Sequence, residues 1–228
     1  MINNKDYFLK TIDQYRDASE YTGELYQNIG KYLNNRLCGR VIDFGNGGVI
    51  NYQTDNLNKV YCIDIINKNR SEGKIEYLYG DFYDINPNIE ADCLILQFLL
   101  HHLTDDSRLE YALKNATTLL TDPGKLFVME VIVPAWIERL QNLFRPVIFS
   151  SLALLKRPSL RFFGIVSLRQ LIMDAGFQIL SEAYVSIRPL DGKKMSPAPV
   201  LFPALKIPGK LYPFKCVIIE ARKQQTLS

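Results

Sequence analysis

Short apolar runs alternate with longer mixed segments through the middle of the chain, and their length predicts buried strands. The runs lie at residues 40–45, 59–65, 75–82, 91–100 and 124–133. Near-continuous Val, Ile and Leu in runs this short are typical of strands that are covered on both faces. Because helical or loop segments separate the runs, the pattern predicts a mainly parallel sheet wound on both faces by helices.

Apolar residues at helical spacing predict helices before, between and after these strands. Such spacing occurs within residues 5–37, 104–122 and 167–177. In the second segment, Thr104 is the expected N-cap, and the sequence Asp122-Pro123-Gly124 is expected to end the helix.

The end of the chain carries two further strand-like runs, at 178–187 and 214–222. No helical pattern separates them, so we expect an antiparallel hairpin at the edge of the sheet. With the five earlier runs they make a seven-stranded α/β fold of the Rossmann-like type. A Pro-rich insertion, 188–213, joins the two runs and is too apolar for a free linker.

A second insertion, 134–166, places apolar residues at helical spacing on both sides of Pro146. Three interpretations remain open: two helices that pack on the core, a lid over an apolar substrate, and contact with a membrane surface. The lid interpretation makes three side chains candidates for substrate contact: Trp136, Leu140 and Phe144.

Composition narrows the function classes. The 228 residues carry a net charge of +3, too little to predict nucleic-acid binding. The polar start does not resemble a secretory signal, and no run is apolar enough to span a membrane. The sequence contains neither a CxxC nor an HExxH motif, so no metal site is predicted. We therefore expect a single-domain cytoplasmic protein, spanning 1–228, that is a monomer or a homodimer.

The stretch VIDFGNGGVI, residues 41–50, indicates the ligand. Gly45 and Gly47 suit a tight strand-to-helix turn, and Asp64 ends the next strand where it can accept hydrogen bonds from a ribose. A dinucleotide fingerprint would need glycine at Ile50 and would not explain Asp43. An acid there suits a ligand with an ammonium group and no phosphate, such as S-adenosyl-L-methionine.

The third strand adds Asp81 for the adenine amino group and Phe82 for the ring face. With these residues, 40–133 resembles the class I S-adenosylmethionine-dependent methyltransferases, whose first motif is D/E-x-G-x-G-x-G. Val49 replaces the final glycine of that motif. The predicted cofactor-binding residues are Asp43, Gly45, Asn46, Gly47, Asp64, Ile65, Asp81, Phe82 and Gln97.

Residues 97–134 resemble a segment of the phenolic O-methyltransferases. The resemblance implies that His101 is the general base and that Glu130 is an acid beside it. A histidine works as a base near neutral pH, which suits the activation of a hydroxyl. The alternatives are that His102 acts instead, or that both histidines have structural or positioning roles.

The predicted function is methyl transfer from S-adenosyl-L-methionine to a small, apolar acceptor, with a hydroxyl oxygen as the favoured target. Residues 1–39 would form a helical cap, in which Tyr15 is a further candidate for substrate contact. The alternatives are methylation of carbon or nitrogen, a fold repurposed for a reaction such as cyclisation, and a non-catalytic partner subunit.

Overall fold

A computed structural model describes residues 23–47, 49–66, 69–82, 88–155, 159–185, 194–195, 207–208 and 214–224. The elements in chain order are helix α1 (Gly23–Asn34), strands β1 (Arg40–Phe44), β2 (Lys59–Asp64), β3 (Arg70–Glu72), β4 (Ile75–Tyr79) and β5 (Ala91–Gln97), a 3₁₀ turn (Leu100–His102), α2 (Asp106–Thr118), β6 (Leu120–Ile132), α3 (Ala135–Leu154), α4 (Ile165–Asp174), β7 (Phe177–Val185), β8 (Lys194–Met195), β9 (Ile207–Pro208) and β10 (Lys215–Lys223).

The main sheet has the strand order β3-β4-β2-β1-β5-β6-β10-β7. The five strands from β4 to β6 in this order are parallel, whereas β10 runs antiparallel to both β6 and β7. The predicted mainly parallel sheet with an antiparallel edge is therefore confirmed.

The predicted strand number was wrong, because the described sheet has eight strands and not seven. The additional strand, β3, is the exposed tripeptide Arg-Ser-Glu, and it pairs antiparallel with β4. A polar strand of three residues gives no apolar pattern to find. Within the Pro-rich insertion, β8 and β9 pair separately as a two-stranded ribbon.

Side chains of the central strands alternate between two buried layers. On one face Ile42 and Phe44 of β1 join a core that includes residues of α2 and α4. On the other face Val41 joins a core with Leu25, Ile29 and Leu33 of α1. Burial on both faces explains why the sequence of these strands is almost wholly apolar.

Helix α2 begins one residue later than predicted and ends earlier. Asp105, not Thr104, is its N-cap, since the Asp105 carboxylate accepts a hydrogen bond from the Arg108 backbone N–H at 3.1 Å. The helix ends at Thr118 because Leu120 already pairs with Ala91 of β5, so Asp122-Pro123-Gly124 lies within β6.

The insertion after β6 is one continuous helix, α3, with Pro146 inside it, and not two helices. Its apolar residues do not pack on the core as the first interpretation required, since Trp136, Leu143 and Val147 are largely exposed. Among the described residues, no helix has both the length and the apolar content that a transmembrane span needs.

Candidate functional site

The predicted polar residues meet at one edge of the sheet because the strands that carry them are parallel. Phe44 of β1 is level with Ile63 of β2 and Leu96 of β5, and Leu96 is level with Val128 of β6. The residues that follow this row in each strand therefore lie side by side at one end of the sheet. We call this the carboxyl edge, which is where open α/β sheets bind their ligands.

Two glycines turn the chain at the end of β1. Gly45 and Gly47 have φ angles of 75° and 62°, in the left-handed region that side chains disfavour. The Gly45 N–H donates to the Ile63 carbonyl at 3.0 Å. A Cβ on Gly47 would meet no atom within 4 Å, so a ligand has room to approach the backbone there.

Asp64 holds this turn against the end of β2. One of its carboxylate oxygens accepts a hydrogen bond from the Gly47 N–H at 2.9 Å, and the other accepts one from the Ile66 N–H at 3.1 Å. Each carboxylate oxygen has a second acceptor position. The two backbone contacts therefore do not by themselves prevent a ligand hydroxyl from donating to Asp64.

Asp43 is a buried carboxylate beneath the turn. The Tyr52 hydroxyl donates to its Oδ2 at 3.0 Å. Its Oδ1 is also buried, and no described group donates to it with good hydrogen-bond geometry. Burial raises the pKa of Asp43 to about 7, while the Tyr52 and Asn46 side chains oppose the rise. A positively charged donor would stabilise the ionised form of such a group.

The remaining predicted cofactor residues differ in exposure. Ile65 and Asp81 are half-buried, and Asn46 is buried beside the turn. Phe82 lies in the core, with its ring edge-to-face against Phe44 at a centroid distance of 5.2 Å. Its predicted contact with an adenine ring stays a prediction.

Gln97 joins the carboxyl edge to helix α1. Its side-chain oxygen accepts a hydrogen bond from the Asn51 amide at 3.3 Å, and that amide also donates to the Tyr26 carbonyl at 3.1 Å. The next residue, Phe98, has a φ angle of 52°. Its ring packs edge-to-face against the Tyr26 ring, with the ring centroids 5.7 Å apart. Contacts of this kind join a helix, a loop and a strand end that are far apart in the sequence, so no periodic pattern predicts them.

Glu130 and His101 form the centre of the candidate site. Glu130 is fully buried on β6, and one of its oxygens accepts hydrogen bonds from the N–H groups of Leu100 at 2.7 Å and His101 at 3.3 Å. Its other oxygen lies 2.8 Å from Nδ1 of His101. An ionised carboxylate only accepts hydrogen bonds, so this contact puts the imidazole proton on Nδ1 and the lone pair on Nε2.

The second histidine differs from the first. Burial lowers the pKa of His102 well below its usual range, and the neighbouring His101 lowers it further. The two rings lie 3.9 Å apart, so a proton on one disfavours a proton on the other. His102 is therefore held neutral and is a poor proton acceptor, whereas the His101 side chain is 21% exposed and contacts a carboxylate.

Helix α3 is connected to this centre through the segment that follows it. The Arg161 N–H donates to the His101 carbonyl at 2.8 Å, and the side chains of Arg161 and Arg145 both contact Asp106 at the start of α2. The predicted substrate residues Trp136, Leu140 and Phe144 are exposed on α3. Tyr15 lies outside the described residues.

No model of a known protein family matches the chain. Over 151 residues the chain is 26% identical to O-methyltransferase 12 of Dictyostelium discoideum, covering 66% of this chain and 36% of that protein. The chain thus spans about a third of the length of this curated relative.

Solved structures resemble the chain over a larger share of its length than the curated relative does. A 1,6-didemethyltoxoflavin-N1-methyltransferase from Burkholderia thailandensis, solved with its substrate and S-adenosylhomocysteine, gives a TM-score of 0.62 at 13% identity, over 97% of this chain and 87% of that one. The [4+2]-cyclase SpnF gives 0.57 at 17% identity, over 88% and 81%. The chain therefore has the class I S-adenosylmethionine-dependent methyltransferase fold.

Proposed function

We propose that this chain transfers a methyl group from S-adenosyl-L-methionine to a hydroxyl oxygen of a small, apolar acceptor. The observation that carries the proposal is the contact between His101 and Glu130, 2.8 Å long, at the carboxyl edge of the sheet that also presents the glycine turn. The fold supports S-adenosyl-L-methionine as the cofactor, and the resemblance to an O-methyltransferase favours oxygen as the acceptor atom.

The residues of the turn fit the parts of the cofactor. The buried Oδ1 of Asp43 suits the ammonium group, Asp64 suits the ribose hydroxyls and Asp81 suits the adenine amino group. Asn46, Ile65 and Gln97 complete the proposed site. When bound, the cofactor supplies a methyl group on a positively charged sulfur.

His101 is the proposed general base. Its Nε2 lone pair would take the proton of the acceptor hydroxyl. The oxygen could then accept the methyl group as the sulfur–methyl bond breaks, and S-adenosylhomocysteine would leave. Glu130 orients the ring through Nδ1 and stabilises the imidazolium that forms. Much of the rate acceleration is expected from holding the acceptor oxygen in line with the bond between the cofactor's sulfur and its methyl carbon.

The start of α3 is the proposed border of the acceptor site, since α3 follows β6 after two residues and β6 carries Glu130. Of the three predicted candidates for contact with an apolar acceptor, Phe144 lies nearest to the side of α3 that meets the protein, whereas Trp136 and Leu140 lie on the outward side. An aromatic side chain at this border favours an acceptor with an aliphatic or aromatic body over a charged one.

Two observations support different chemistry on the same fold. One similar structure is an N-methyltransferase, which supports nitrogen as an alternative acceptor atom. Another is a [4+2]-cyclase, which supports a reaction without methyl transfer as the second candidate. A non-catalytic partner subunit is the third candidate function.

The experiment is incubation of the purified chain with cofactor labelled on the methyl group and a panel of apolar acceptors that carry a hydroxyl, an amine or an acidic C–H. We expect S-adenosylhomocysteine to appear together with label on an acceptor oxygen. Label on nitrogen or carbon would correct the acceptor atom. Conversion of an acceptor without release of S-adenosylhomocysteine would favour the second candidate.

A further inference from the structure

Through its first three turns, helix α3 directs polar side chains towards the protein. Of its residues, all of which the structure describes, only Gln141 is buried. The Gln141 amide donates to the Leu160 carbonyl and accepts from the Phe162 N–H, both at 2.7 Å. On the same side, Glu138 accepts a hydrogen bond from the Ser167 hydroxyl, and Arg145 donates to Asp106 at 2.8 Å.

The opposite side of α3 is apolar and exposed. At about 100° per residue, five side chains fall within an arc of about 60°. We call them the apolar stripe: Trp136, Leu140, Leu143, Val147 and Leu154. Each is between 55% and 85% exposed. Large contiguous apolar patches are uncommon on soluble monomers and mark interaction sites.

The charges around the apolar stripe have one sign. The only acid of the helix, Glu138, is turned inward to Ser167, while Arg139 is exposed beside the stripe. A second copy docked through this face would bring no acid of α3 to Arg139, in a parallel or an antiparallel arrangement, because Glu138 is turned inward in each copy. A second copy is therefore a poor partner, and an anionic surface is a good one.

We propose that α3 docks the chain on an anionic lipid bilayer. The helix would lie along the surface, with the apolar stripe at the boundary of the acyl chains and Arg139 at the level of the lipid phosphates. An exposed tryptophan on the apolar side is typical of helices that lie in this interface. The proposal is independent of the methyl-transfer reaction, because it depends only on which side of α3 faces outward.

Trp136 is the only tryptophan of the chain, so its fluorescence reports directly on the apolar stripe. The experiment mixes the purified full chain with vesicles of phosphatidylcholine, either alone or with about a third phosphatidylglycerol. We expect a blue shift with the anionic vesicles, quenching by brominated acyl chains, and a binding constant that is at least about tenfold weaker for pure phosphatidylcholine.

The test variant is Leu143→Ser combined with Val147→Ser, and the control is Tyr111→Ser combined with Val166→Ser. The control removes side chains that are similarly exposed, 62% and 71%, on α2 and α4. We expect at least about tenfold weaker vesicle binding for the test variant and unchanged binding for the control. Arg139→Glu, a surface change, should also weaken binding to anionic vesicles.

Three results would overturn the proposal. The first is no blue shift with anionic vesicles, and the second is a shift that the test variant and Arg139→Glu both leave unchanged. The third is a blue shift without lipid that rises with protein concentration together with a dimeric mass by light scattering, which would assign the apolar stripe to a second copy of the chain.

Discussion

The Nδ1 atom of His101 lies 2.8 Å from Oε2 of Glu130, a carboxylate that has no exposed surface. The same carboxylate accepts the N–H of Leu100 at 2.7 Å, so it fixes both the ring and the backbone of the turn that carries the ring. A buried charge is costly unless it is hydrogen-bonded. The turn and the carboxylate therefore stabilise each other, and the orientation of the imidazole follows from the fold.

Removal of the Glu130 carboxylate should destabilise the chain. Glu130→Ala leaves the Leu100 and His101 N–H groups without their acceptor, at about 1–3 kcal/mol for each buried donor that is left unsatisfied. Glu130→Gln keeps an oxygen that can accept these bonds and should cost less. Denaturant unfolding of both variants measures the difference. Equal stability of wild type and Glu130→Ala would contradict this role.

Asp64 should be the residue on which cofactor binding depends most directly. Asp64→Ala should weaken the binding of S-adenosylhomocysteine by about 1–3 kcal/mol, the usual worth of a hydrogen bond to a charged group. It also removes the acceptor of the Gly47 N–H. Titration calorimetry measures the effect.

The control for this experiment is Glu90→Ala, which removes an exposed carboxylate that precedes β5 and contacts Arg40 at 3.6 Å. It lies at the opposite edge of the sheet and should leave the affinity unchanged. An Asp64→Ala variant that binds as tightly as wild type would exclude the ribose contact.

Asp43 should make the stability of the chain depend on pH. Its pKa is about 7 in the folded chain against an ordinary 3.8. Between these values the folded state holds more protons than the unfolded state, so the contribution of Asp43 to the free energy of unfolding falls as the pH rises. Asp43→Asn has no carboxyl to titrate and does not suffer this loss. The free energy of unfolding of the variant minus that of wild type should therefore increase by on the order of 4 kcal/mol between pH 4 and pH 8.

Unfolding by denaturant at several pH values measures this gain. Tyr52→Phe is the matched variant, since it removes the hydrogen bond that opposes the rise in the pKa of Asp43. It should lose stability with rising pH more than wild type does. A difference between wild type and Asp43→Asn that stays constant from pH 4 to pH 8 would contradict the account.

The central strands could be predicted because burial on both faces leaves a continuous apolar run, as at 91–97. Strand β3 could not, because three exposed polar residues leave no such pattern. The glycine turn and the acids at the strand ends carried enough information to identify the cofactor-binding fold. The network of Tyr26, Asn51 and Gln97 could not be predicted, because its contacts join a helix, a loop and a strand end and depend on tertiary structure.

Helix α3 shows where apolar spacing misleads. Spacing predicts which side chains share a face, but not which face meets the protein. Here the short polar contacts of Gln141 with residues 160–162 decide the orientation. An isolated glutamine within an apolar helix gives no sign in sequence that it is the anchoring residue.

Gln141 should therefore contribute to stability although it is polar. Gln141→Leu keeps the approximate size of the side chain but leaves the Leu160 carbonyl and the Phe162 N–H without partners, and should lower the free energy of unfolding by about 1–3 kcal/mol. The control is Gln170→Leu on α4, where the amide contacts only Asp174 at an exposed site. Thermal unfolding that is equal in the two variants would argue against an anchoring role.

The most direct test of the proposed function is single-turnover methyl transfer, from pH 6 to pH 9, with an acceptor that the panel has identified. A positioned general base contributes about 10²–10⁴ in rate. We expect His101→Ala to slow the chemical step by that factor with nearly unchanged cofactor affinity, Glu130→Gln to slow it less, and His102→Ala to leave it close to wild type. A wild-type rate in His101→Ala at every pH would contradict the account and would leave His101 a structural residue of the turn.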